Sequence, residues 1–98
     1  MNIKLLLIKI GITPNLKGYN ALIWALEHPE VHGCDIYKEC AKAMNDSAHN
    51  VERRIRHTLL HVHPKYMNKI MMGNKPKTIT FIECLRVCIN NDIFSEEA

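Results

Sequence analysis

Residues 45–57 read Asn-Asp-Ser-Ala-His-Asn-Val-Glu-Arg-Arg-Ile-Arg-His, and this stretch decides the fold. Asn45-Asp46-Ser47 is a turn with capping chemistry, since short polar side chains bond neighbouring backbone groups. The residues after it carry an apolar helical period. At about 100° per residue, Val51, Ile55, Thr58, Leu59 and Val62 gather on one side of a helix. Arg53 then points nearly opposite that stripe, with His49, Arg56 and His57 within about 60° of it on the same geometry. Asn50 and Glu52 fall at the edges near the start, and Arg54 at the border of the packed side. The stretch therefore predicts a fourth helix over about Ala48–Val62, with one face in a core and the other towards a polyanion.

Outward from this helix, apolar residues recur at three and four, with Gly and Pro as breakers and almost no strand signal. A third helix spans about Asp35–Met44 and buries Ile36, Cys40 and Met44 or nearby residues. A first helix covers about Ile3–Lys9 and ends at Gly11-Ile12-Thr13-Pro14. Asn15 is expected to cap a second helix that runs to about His28, with Leu16, Tyr19, Leu22, Ile23 and Leu26 on one side and Tyr19 and Trp24 as core anchors. A fifth helix spans about Lys65–Met72 and a sixth about Thr78–Asn90. Ser95 to Ala98 is expected to fray. The fold class is all-α, a six-helix, bundle-like single domain. Its third and fourth helices, a short helix, a tight turn and a longer helix, have the layout of a helix-turn-helix.

Charge is distributed unevenly. Residues 46–77 carry seven Lys/Arg against Asp46 and Glu52, a net of +5, while the other residues carry six against eight, a net of −2. Such a basic half favours an anionic partner, nucleic acid before membrane. Arginine presents a planar fork that suits guanine O6 and N7, asparagine suits adenine, and a carboxylate accepts from cytosine. Arg53 and Arg56 are thus the main candidate contacts, with Asn50 and Glu52 tuning base choice. Glu52, four residues before Arg56, is placed to orient it. His57, Lys65, Lys69, Lys75 and Lys77 are candidates for phosphates, which supply affinity without sequence choice, and His49 is a further DNA-facing candidate beside Arg53.

Two stretches also resemble a known family. Ile10-Gly11-Ile12-Thr13-Pro14-Asn15-Leu16-Lys17-Gly18-Tyr19 is similar to Ile-Gly-Ile/Val-Pro-Ala-His-Ile-Lys-Gly-Tyr, and Val51-Glu52-Arg53-Arg54-Ile55-Arg56-His57 to Val-Glu-Arg-Ala-Ile-Arg-His. Both belong to the C-terminal DNA-binding effector domain of the sporulation master response regulators (stage-zero sporulation regulator A). Asp35–Asn45, Lys75-Pro76 and Phe81-Ile82 extend the likeness over nearly the whole chain. The resemblance implies a six-helix effector domain that binds TGTCGAA-type boxes in double-stranded DNA, often as a second copy on tandem sites, and addresses RNA polymerase. It also implies DNA-facing roles for Glu52, Arg53, Arg56 and His57. Asn50 stands where the family usually has arginine and His49 where it has serine, so the operator is expected to differ. The segment between the fourth and last helices is shorter than the family's. The family's receiver domain is missing, which predicts an excised domain or a stand-alone regulator without a phosphorylation switch.

Other classes are disfavoured. No nucleophile–base constellation, phosphate loop or zinc-peptidase motif occurs, so no enzyme and no cofactor are expected. His57 and His61 have metal-ligand spacing but lack an evident third ligand, so no metal is expected. Cys84 and Cys88 are expected as buried thiols, and His28, His32 and Cys34 as surface residues. Four apolar residues between lysines at the start fall short of the roughly 7–15 of a signal peptide and the roughly 20 of a membrane helix. A cytoplasmic location with reduced thiols follows as the expectation. The alternative from another class is a protein-interaction module that uses an apolar stripe of Met67, Ile70, Met71 and Met72, although the stripe reads first as core.

Overall fold

The computed structural model describes residues 2–75 and 77–92, so the 95–98 tail lies outside the described residues. Six α-helices and one 3-10 turn follow in order: α1 (Ile3–Ile10), α2 (Tyr19–Glu27), α3 (Asp35–Met44), α4 (Ala48–Thr58), the 3-10 turn Leu59–His61, α5 (Pro64–Met71) and α6 (Thr78–Asn90). The described residues contain no strand. The all-α architecture is as the periodicity requires.

Each helix contributes an apolar stripe to one core. Leu7, Ile10, Ile12, Leu22, Ile36, Val51, Ile55, Ile70, Phe81, Ile82 and Leu85 are fully or almost fully buried there. Helix α1 is capped by Asn2, whose Oδ1 accepts from Leu5 N at 3.2 Å. It closes on Gly11 in the left-handed region at φ 111°, a conformation natural to glycine.

Several expectations fail at helix ends, for local and tertiary reasons. Helix α2 begins at Tyr19, three residues later than a cap at Asn15 would start it. Asn15 Oδ1 accepts from Thr13 Oγ1 instead of capping a helix. Backbone turns from Leu16 N to Thr13 O and from Tyr19 N to Leu16 O, both 3.1 Å, occupy the segment. That segment is taken up in docking against α4. Helix α4 ends at Thr58, not Val62, and continues as the 3-10 turn. His63 is held extended (φ −61°, ψ 138°) by Pro64, which disfavours α geometry in the residue before it, and Pro64 itself forms the first residue of α5, where its missing N–H costs nothing. His63 N instead donates to Ile10 O at 3.0 Å, tying this junction to the end of α1.

Side-chain placement needs three corrections. Met44 is 37% exposed rather than buried, because the chain leaves the α3 stripe at left-handed Asn45. Trp24 is half-buried and stacks on His28, ring centroids 4.2 Å apart, while Tyr19 is in the core. In the methionine stripe Ile70 and Met71 are buried and Met67 half-buried, but Met72 is 72% exposed. It follows α5 with a left-handed backbone (φ 50°). Cys88 is buried, Cys84 half-buried and Cys34 exposed.

The helix ends also depend on one arginine that the sequence reading passed over. Arg86 of α6 is 6% exposed. Its guanidinium donates to Ala25 O at 2.7 Å and His28 O at 3.0 Å through Nη2, and to Val31 O at 2.7 Å through Nη1. Nε reaches Ala25 O at 3.2 Å, and Glu83 Oε1 lies 3.3 Å from Nη1. Carbonyls at a helix C-terminus lack helical partners, and here one cation fastens the end of α2 and the following loop to α6.

Candidate nucleic-acid interface

Helices α3 and α4 meet through a turn built from Asn45, Asp46 and Ser47. Asn45 takes a left-handed conformation (φ 54°), its N–H donating to Lys42 O at 3.4 Å, and Asp46 N donates to Ala41 O at 2.9 Å. This pair of bonds satisfies the last carbonyls of α3. Ser47 then caps α4, its Oγ accepting from Asn50 N at 3.1 Å. Turn and cap together set the direction in which α4 leaves α3.

Asp46 organises the first turns of α4. Its Oδ1 accepts from Ser47 N at 2.7 Å and from Asn50 Nδ2 at 3.1 Å, and its Oδ2 accepts from Arg54 Nη1. Hydrogen bonds from Asn50 and then Ser47, with the Arg54 charge, hold its carboxyl below the usual carboxylate range. Asn50 passes the order on, since its Oδ1 accepts from Arg53 Nη2 at 3.3 Å. Asn50 is therefore half-buried in a relay, not a bare amide at the surface.

Glu52 sits differently from Arg53. Its Oε2 accepts from Thr78 Oγ1 at 3.1 Å, at the start of α6, and lies 3.3 Å from Arg56 Nε. The buried phenol of Tyr37 completes this corner; burial and the nearby Glu52 charge push it above its ordinary range, and a bond with the Thr78 hydroxyl counteracts them. The i,i+4 pair that the spacing predicts is present, and its carboxylate also faces α6.

The outward face of α4 is cationic. His49, Arg53, Arg54, Arg56 and His57 are exposed, while Val51, Ile55 and Thr58 are buried. Two grooves flank it. One, of about 650 Å³, lies between α4 and the segment before α2, with Lys17, Arg53, Arg54, His57 and His61 on its walls. The other, of about 460 Å³, has Arg56 and Lys77 at its rim over Leu60, Met67 and Phe81.

The lysines divide. Lys77 shares the second groove with Arg56. Lys65 lies over the Tyr66 ring, 4.9 Å from its centroid, and half-buried Lys69 lies near Cys88 of α6. Lys75 is exposed in the connection from α5 to α6. The predicted arginines and histidines thus share one helix face, whereas Lys65, Lys69 and Lys75 are placed by α5 and the loop after it. Lys17, missed in the sequence reading, lines the first groove. Its only sequence signal is its position within the Ile10–Tyr19 stretch.

No group of three metal-ligating side chains occurs among the described residues, and no described helix is long and apolar enough to cross a membrane. No family model, curated protein or solved structure matches this chain.

Proposed function

We propose that the chain is a sequence-specific DNA-binding transcription regulator of the sporulation-regulator effector type, with α4 entering the major groove of double-stranded DNA. The observation that carries this reading is the exposed face of α4. A rigidly capped helix presents Arg53, Arg56, His49 and His57 outward, and its one acid, Glu52, is engaged with Thr78 and Arg56. Recognition helices read bases from such a face. Arg53 supplies the central base contact and Arg56, held by Glu52, the next. Asn50 influences base choice through Arg53. The resemblance adds the TGTCGAA-type target, a second copy on tandem sites and RNA polymerase as partners, and a cytoplasmic location.

The alternative reading is an interaction module; of its apolar stripe Ile70 and Met71 lie in the core, while Met72 is exposed and Met67 lines the second groove. A mobility-shift titration with a TGTCGAA duplex and a scrambled control tests the reading. Tighter binding to the TGTCGAA duplex at physiological salt is expected. Equal, weak binding to both would remove the sequence-specific claim.

A further inference from the structure

The Ile10–Tyr19 stretch, far from the helix-turn-helix in sequence, is clamped at two glycines, Gly18 against α4 and Gly11 against the 3-10 turn that follows it. At Gly11, a Cβ would stand 2.4 Å from His61 O. At Gly18, a Cβ would stand 2.4 Å from both Arg54 O and Thr58 Oγ1. Only glycine allows backbones to approach this closely. Gly18 N uses the approach to donate to Thr58 Oγ1 at 3.1 Å, and Thr58 Oγ1 donates in turn to Arg54 O at 2.8 Å. Lys17, the residue before Gly18, is thereby carried to the wall of the groove beside α4.

The groove chemistry follows from its walls. Lys17, Arg53 and Arg54 supply cationic side chains, His57 and His61 add imidazole rings, and no acidic side chain among the described residues lines it. Arg54 is partly neutralised by Asp46, which lies outside the walls, and among the described residues Arg53 hydrogen-bonds to the neutral Asn50 amide. Lys17 is exposed on a segment that holds no part of the helix-turn-helix. A concave, cationic groove with no carboxylate on its walls and one of its arginines partly neutralised from outside suits a phosphodiester. Lysine is suited to it as a point charge.

We propose that this groove is a phosphate-binding site for the DNA backbone, with Lys17 as its principal cation and the Gly11–Gly18 clamp as the device that positions it. The proposal rests on the DNA-binding reading and deepens it. It makes the interface two-part: α4 reads bases, and a separate segment grips the strand alongside it. A phosphate contact carries no sequence information, so Lys17 acts on affinity and not on base choice.

Equilibrium titrations of wild type, Lys17→Ala and Lys17→Arg against the TGTCGAA and scrambled duplexes, repeated over a range of salt, test this. Lys17→Ala should weaken both duplexes by the same factor. It should flatten the slope of log affinity against log salt by about 0.9, the contribution of one phosphate. Lys17→Arg should keep the wild-type slope. An unchanged slope in Lys17→Ala, with wild type still preferring TGTCGAA, overturns the phosphate site and leaves the DNA-binding reading standing. Loss confined to the TGTCGAA duplex overturns it too, since that is the mark of a base contact. Failure of wild type to bind either duplex overturns both.

Discussion

Arg86 and Arg53 are the same side chain in opposite circumstances. Arg86 is buried, and its donors are spent on three backbone carbonyls and on Glu83. Arg53 is exposed, and among the described residues its fork meets one neutral acceptor, Asn50 Oδ1. A buried guanidinium is tolerated only when its donors are filled, because desolvating a charge is costly. Once filled, it has nothing left to offer a ligand. An exposed fork with spare donors contributes little to folding and is free to recognise an anion or a base edge. Composition counts both residues as one positive charge; their surroundings separate a fastener from an available cation.

Breaking the fastener should have the largest effect. Arg86→Ala strands the carbonyls of Ala25, His28 and Val31, and unmet buried groups each cost roughly 1–3 kcal/mol. Some will recover water, so a total loss of about 3 kcal/mol is expected in urea or guanidinium unfolding. DNA binding by the folded fraction should be retained. A loss under about 1 kcal/mol, the scale of one ordinary hydrogen bond, would show that the cage is not what fastens α2 to α6.

Arg53→Ala should invert the pattern. Stability should change by less than about 0.5 kcal/mol, as for most surface substitutions. Affinity for a preferred duplex should fall by roughly 1–3 kcal/mol, with little change on a scrambled one. Unfolding and titration of the same sample measure both. Binding that persists unchanged would mean that another face of α4 does the reading.

The smallest effect concerns acid. Asp46 holds the start of α4 through bonds from Asn50, Ser47 and Arg54, and its carboxyl titrates below its ordinary value of 3.8. Its folded pKa is depressed, so the stability it contributes is present above the unfolded value and is lost as pH falls through the folded one. The Arg86 cage depends mainly on backbone carbonyls, which do not titrate. The Ser47 amide resonance, which reports on Asp46 Oδ1, should shift with a midpoint below 3.8. A midpoint at or above that value would dissolve the assigned network.

Much of this was legible beforehand. The turn at Asn45–Ser47, the buried Val51 and Ile55 and the outward Arg53 follow from a local period, and local periods survive folding because a buried stripe must recur at the helical repeat. The Glu52–Arg56 pair was legible for the same reason. The early stop of α4 at Thr58 was harder. It depends on Pro64, visible in sequence, and on Gly18 and Thr58, forty residues apart, meeting at bonding distance. The start of α2 shifted because the same contact claims the residues before Tyr19. The placement of Lys17 on the groove wall and of Arg86 in its cage was not legible, since neither belongs to a pattern in its own neighbourhood.

The amino-acid sequence by itself determined the helical class, the helix-turn-helix and the identity of the exposed arginines, because spacing and capping act within a few residues. Only the tertiary structure decided which cations are spent and which are available. It brought Lys17 beside Arg53, sealed Arg86 against the end of α2 and turned the carboxylate of Glu52 towards Thr78. Those outcomes depend on which distant backbones approach and which charges lose water, and a linear period carries neither.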